Sequence, residues 1–282
     1  MTRMPSLASL LPLCLLAACT GDTEGVRTTV DRTDVADTSE PGTTIDPTDT
    51  GNTTDPSGGP NLSTDSTNQR CLLLYGQTDR MSAGGDYLPV GTTSRTLQAW
   101  VRTNQDNEQV AVSYGRGSVG QGFTIGVARG GFPFVDNNGS TRIEGDTRID
   151  DDEWHHLVGM WDGSTGYLVV DGVLEEFGAL PGDTQSGGIT VGNRTEASVE
   201  RDPWIGWIDD VKLFTATRDV DDIALDPDGE DLEASRLKVW YDFENVGTDE
   251  EGPGVEVDDL SGNGHTGTTA GTGNRPQFPF CR

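Results

Sequence analysis

From Cys71 onward the apolar runs are short, and turn signals built from glycine, asparagine or aspartate separate them. Short alternating runs punctuated this way are the signature of an antiparallel sandwich or barrel, because each run is long enough for a strand and too short for a packed helix. Two hairpins stand out. Phe132-Pro133-Phe134-Val135 and Ser140-Thr141-Arg142-Ile143 flank Asn138-Gly139, and Tyr167-Leu168-Val169-Val170 passes through Asp171-Gly172 into Val173-Leu174. Asn-Gly and Asp-Gly tolerate the positive φ angles that tight hairpin turns require. One short stretch, Arg218 to Ala224, reads as helix. The segment is expected to be all-β.

Alternation assigns faces to two strands. Between Trp154 and Trp161 one face carries Trp154, His156, Val158 and Met160, and the other His155, Leu157, Gly159 and Trp161. Neither face is polar throughout, which suits a central strand covered on both sides. In Ile205 to Phe214, the residues Ile205, Trp207, Val211 and Leu213 share a face with Asp209. Without a bulge, Asp209 points into the core, where a bare carboxylate is costly; it must be hydrogen-bonded, paired or metal-bound.

The rest of the chain sets the context. Thr2 to Thr20 has a single positive charge, Arg3, and an apolar run from Leu7 to Ala18 that is too short to span a bilayer, so residues 1–18 read as a signal peptide. Leu16-Ala17-Ala18-Cys19 resembles a bacterial lipobox, which implies lipidation at Cys19; an ordinary secretory signal with an incidental cysteine is the other reading. Thr20 is not the aspartate associated with inner-membrane retention, so the expected address is the outer membrane or cell surface. Residues 19–70 are rich in Thr, Asp, Gly, Pro and Ser and poor in apolar residues, and read as a disordered tether. Residues 71–282 form the head. Cys71 and Cys281 lie at its two ends, with no cysteine between them, and in an exported chain this predicts a disulfide. The formal net charge of -28 disfavours nucleic acid and leaves the lipid anchor as the only expected contact with a membrane.

Four segments of the head resemble, in order, the laminin-G-like domains of the concanavalin A-like lectin/glucanase superfamily. They are Thr96 to Arg102, Trp154 to Gly163, Tyr167 to Gly172, and Trp207 to Phe214. A further piece, Trp240 to Glu244 with Asp259 to His265, resembles a segment often found at the N-terminal edge of such domains, as though the order were rotated here. The resemblance implies a jelly-roll of two antiparallel sheets, often with one calcium ion, and a role in binding glycans, proteins or steroids with no single activity attached.

Calcium is the expected cofactor, with Asp209, Asp258, Asp259, Asn263 and Asp86 as candidate ligands, since calcium takes oxygen donors and glycine-rich loops let carbonyls converge. The alternative is that Asp209 accepts backbone N–H bonds and the loop is only a turn. Trp204 and Trp240 are candidate sugar-stacking residues, against the reading that they fill the core or its rim. His155 and His156 are adjacent on a strand, point to opposite faces and suit packing better than zinc. Catalysis is not expected. The glycanase pattern Glu-x-Asp-x-x-Glu begins at Glu256 and fails at Ser261, and from Glu144 it fails at Ile149, so the second carboxyl that retaining hydrolysis needs is missing. The expected function is a lipid-anchored surface protein binding extracellular glycan or glycoprotein, with a structural or protein-interaction envelope module as the alternative and a glycoside hydrolase disfavoured.

Overall fold

The computed structural model describes residues 69–76, 78–194, 202–225, 234–247 and 250–281. The expected leader, Cys19 and the tether up to residue 68 lie outside the described residues.

Two antiparallel sheets stack face to face. One runs β1 (Leu72–Tyr75), β12 (Ile205–Phe214), β3 (Arg95–Arg102), β8 (His155–Trp161), β9 (Thr165–Val170), β10 (Val173–Ala179). In this sheet β13 (Leu237–Tyr241) shares with β1 the free side of β12: β1 pairs with its first residues and β13 with its last. The other runs β14 (Glu256–Val257), β15 (Gly267–Ala270), β2 (Arg80–Ala83), β11 (Ile189–Val191), β4 (Gln109–Gly115), β5 (Gly122–Val127), β6 (Pro133–Asp136), β7 (Arg142–Glu144). Helix is confined, among the described residues, to α1 (Val220–Leu225) and one 3-10 turn. This is the all-β, two-sheet sandwich expected of a jelly-roll.

Local sequence explains the hairpins. Asn138 and Gly139 have φ of 63° and 83°, and Asp171 and Gly172 have 50° and 76°. Both pairs occupy the left-handed region; Asp171-Gly172 close a two-residue hairpin between Val170 and Val173, and Asn138-Gly139 turn the longer loop between β6 and β7. The core between the sheets takes Leu97, Ala99 and Val101 from β3 and Leu157 and Trp161 from β8, with Val112 and Tyr114 from β4 and Phe123, Ile125 and Val127 from β5. The opposite face of β8 is also covered, because Ile223 of α1 packs with Val158, Met160 and Val169. Both faces of this strand are those that alternation predicts.

One strand departs from simple alternation. The β12–β3 ladder shifts register between Asp209 and Lys212, and Asp210 has φ of 50°. The extra residue flips the phase, as a bulge must. Ile208, Val211 and Leu213 face the core, while Asp209 and Lys212 lie opposite Trp100 and Gln98 on the outer side. The expectation that Asp209 shares the core face of Val211 and Leu213 is corrected by this bulge.

The chain ends meet. Cys71 N–H donates to Pro279 O at 3.2 Å, Cys281 N–H to Gln69 O at 2.9 Å, and Arg70 bridges to Phe280. Cys71 and Cys281 form a disulfide with a Cα–Cα distance of 6.0 Å.

Candidate ligand-binding site

The expected calcium ligands do not converge. Asp259 Oδ1 accepts the backbone N–H groups of Trp240 (3.0 Å) and Ser261 (3.0 Å), and its Oδ2 accepts that of His265 (2.9 Å). Its oxygens therefore pin a turn by charge-assisted bonds to N–H donors. Asn263 turns its amide nitrogen inward, donating to Leu237 O at 2.9 Å and Lys238 O at 3.3 Å. Asp258 is exposed, and Asp86 sits on a different exposed loop. Asp209, 4 % exposed, accepts Asp210 N–H at 2.8 Å and lies against the disulfide, its carboxylate and both sulfurs within 4.8 Å of one another. Bonded sulfurs are not metal ligands. Among the described residues no three of these carboxylates share a site, so this donor set does not fit calcium.

The two tryptophans are committed elsewhere. Trp204 is fully buried in the core. Trp240 is half-buried, donates its indole N–H to Asp210 Oδ1 at 3.0 Å, and carries the Lys212 ammonium 4.8 Å from its ring centroid. Trp204 offers no stacking face, which corrects that expectation; Trp240 has its indole N–H and one side of its ring engaged. His155 bridges Asp171 (2.8 Å) and Asp151 (3.1 Å), and those carboxylates raise its pKa, the Asp171 bond most.

A different feature is built like a binding site: the end of the sandwich where β2 turns into β3. Arg95, the first residue of β3, is fully buried. Its guanidinium donates to Gly91 O (2.7 Å), Thr93 O (2.7 and 2.9 Å), Pro89 O (3.4 Å) and the Tyr114 hydroxyl (2.9 Å), and it lies 4.5 Å from the Trp161 ring centroid. A desolvated cation whose partners are loop carbonyls and aromatic faces holds that loop in one conformation. Burial pushes the Tyr114 phenol up, opposed by the neighbouring Arg95 charge.

The loop is locked from outside as well. Gly91 N–H donates to Thr184 O at 2.8 Å, Asp183 N–H to Gly120 O at 2.9 Å, and Gln185 N–H to Gln121 O at 3.0 Å, so the β2–β3, β10–β11 and β4–β5 loops form one unit. Three glycines permit this approach. A Cβ on Gly85 would overlap the Gly187 carbonyl, and one on Gly187 would overlap the Gly115 carbonyl. His265 Nδ1 sits 3.1 Å from Gly84 O at the loop's base. At the tip stands Tyr87, 88 % exposed, with φ of 65°. Sequence reasoning reached Asp86 next door and passed over Tyr87 and Arg95. The Gly84-Gly85 pair marks the turn, but the partners of Arg95 are backbone carbonyls, which sequence cannot display.

The sequence profile of the laminin G family, described as the concanavalin A-like lectin/glucanases superfamily, matches residues 76–224, more than half of the chain. No curated protein matches the chain. Among solved structures, a candidate carbohydrate binding protein from Bacteroides ovatus aligns at 13 % identity and a TM-score of 0.57, covering 75 % of this chain and 60 % of that one. The heptameric SAP-like pentraxin of Limulus polyphemus aligns at 13 % identity and a TM-score of 0.47, covering 56 % of this chain and 82 % of that one. Domains LG4-5 of the mouse laminin α1 chain align at 18 % identity and a TM-score of 0.42, covering 52 % and 41 %. At such identities the likeness concerns the fold alone.

Proposed function

The chain belongs to the concanavalin A-like lectin/glucanase superfamily, and on that premise we propose that it is a surface binding protein whose sandwich head recognises an extracellular glycan or glycoprotein. The observation that carries this reading is the preformed loop end, where a buried guanidinium and interlocked glycine backbones fix a tip whose Tyr87 is 88 % exposed. Loops held by a rigid sandwich are where such folds place recognition, and ordering them before binding removes an entropic cost. The leader, the lipobox-like Cys19 and the acidic stalk complete the proposal: export, a lipid anchor and a tether. No catalytic step is proposed, and calcium is given no role, since Asp209 and Asp259 already serve backbone N–H donors while Asp86 and Asp258 lie exposed on separate loops.

A glycan array probed with the full chain, with and without chelator, tests this. Binding to a defined set of glycans in both arms is expected. Silence in both arms would count against it.

A second reading has its own observation. β10 is an edge strand, and its Val173, Leu174 and Phe177 are 60 %, 38 % and 58 % exposed. Among the described residues no strand pairs with its outer side, and exposed apolar side chains beside such an edge suit pairing with a protein segment. Crosslinked envelope proteins lost on Phe177→Lys, with glycan binding absent throughout, would favour this reading.

A further inference from the structure

We infer that Tyr87 is the stacking residue of the site, and that the ring it receives is a neutral sugar; this rests on the glycan-binding reading and names its contact and ligand class.

The first ground is an inversion of the usual burial pattern. Tyr87 is 88 % exposed, yet the next residue, Leu88, is 5 % exposed and sits in the core cluster. The loop is anchored immediately behind its aromatic tip, so the exposure of Tyr87 is imposed by the fold and is not fraying. The second ground is backbone strain. A φ of 65° is unfavourable for a bulky aromatic and persists only where the surroundings fix the chain on both sides. They do so here: Gly85 is wedged against Gly187 before the tip, and Arg95 holds Pro89 O and Gly91 O after it. The fold thus sustains a disfavoured backbone in order to present a solvent-facing ring. Strain of this kind concentrates where a side chain must be aimed at a ligand.

The chemistry of the surroundings selects the ligand. The exposed apolar patch of these loops, Tyr87 with Val90 and Val119, is too small for a stable protein interface, which buries on the order of 1,000 Å² or more. The Tyr87 ring matches the C–H face of one pyranose or furanose ring. Asp86 is adjacent to the tip, and a Cβ on Gly91 would lie 4.0 Å from Asp183 Oδ1; of the cations at this end, Arg95 is buried and turned to the loop carbonyls, and Arg116 is exposed on the β4–β5 loop. Carboxylates accept hydrogen bonds from sugar hydroxyls and repel sulfate, uronate and sialate, and the formal net charge of -28 acts in the same direction. Neutral glycans are the class left.

Affinity electrophoresis of the full chain tests this, using gels containing neutral gluco-, manno-, galacto- or xylo-configured polysaccharides, with dextran sulfate and polygalacturonate as anionic probes. Retardation by at least one neutral polymer and by neither anionic one is expected. Tyr87→Gly, which suits the positive φ, should weaken that retardation at least tenfold while the melting temperature holds or rises. Tyr87→Trp should retain it, and Phe177→Ala should match the wild type. Unchanged retardation in Tyr87→Gly overturns the inference while leaving the glycan-binding reading intact. So does retardation by the anionic polymers alone, or its loss in Phe177→Ala. A wild type retarded by no polymer overturns the glycan-binding reading, and this inference with it.

Discussion

His156 shows what a single residue contributes when its strand is covered on both faces. It is 1 % exposed, stacks on Trp100 at 5.1 Å, and neither ring nitrogen has a hydrogen-bond partner. Burial, reinforced by the positive charges of Arg218 and Lys212, pulls its pKa from 6.5 down to about 4. Between those values the unfolded chain binds a proton that the folded one refuses, so stability falls as pH drops through this window and is flat above it. His155 acts in the opposite sense. Asp171 and Asp151 raise its pKa, so its contribution is complete below the unfolded value and fades as pH climbs through the folded one. His156→Phe should keep the stacking and remove the titration. Denaturant unfolding at pH 7 and near pH 4 should show wild type losing roughly 3 kcal/mol more than the variant between the two. Equal losses would mean that the imidazole is not sealed from protons. Residue-level roles were the least legible part of the sequence. Alternation nominated Trp204 and Trp240 by strand phase alone, but the ring of Trp240 is shared with Lys212 and Asp210, contacts made by a neighbouring strand and a bulge.

Among elements, hairpins and strand faces were readable because their causes are local. Asn138-Gly139 and Asp171-Gly172 encode their own turns, and the faces of β8 follow from period two. The phase of β12 was not readable, since a bulge at Asp210 depends on the ladder with β3. For the same reason Arg95 gave no signal: a cation that serves the carbonyls of the preceding loop looks, in sequence, like any strand arginine. The loop end provides a test at this scale. Gly187→Ala would press a methyl group onto the backbone of Gly115 and Arg116, which cannot swing aside as a side chain can, whereas a Cβ on Gly178 meets nothing within 4 Å. Gly187→Ala should lower stability by roughly 1–3 kcal/mol, as overpacking does, and weaken ligand retention. Gly178→Ala should be close to neutral. Thermal melting of the two variants side by side decides it, and equal melting points would show that the loops are not interlocked.

At the scale of the whole head, the covalent closure between Cys71 and Cys281 spans 210 positions. Closing a loop of that length removes enough freedom from the unfolded chain to stabilise the fold by about 5 kcal/mol in the chain-entropy account. Paired Cys71→Ser and Cys281→Ser should therefore lower the melting temperature by roughly 10–20 °C. A shift of a degree or two would place the seam's strength in β1 and the Arg70–Phe280 bridge. The pairing was visible beforehand because the two cysteines stand alone at the ends of one domain.

That closure also turns the head into a ring. A protease cutting any one loop between residues 71 and 281 converts the chain into two fragments that stay joined through sulfur, and whichever fragment bears Tyr87 remains attached to the stretch preceding residue 70. A second cut is needed before any piece can diffuse away. On the extracellular placement proposed above, the bond guards the head against shedding as well as stabilising it.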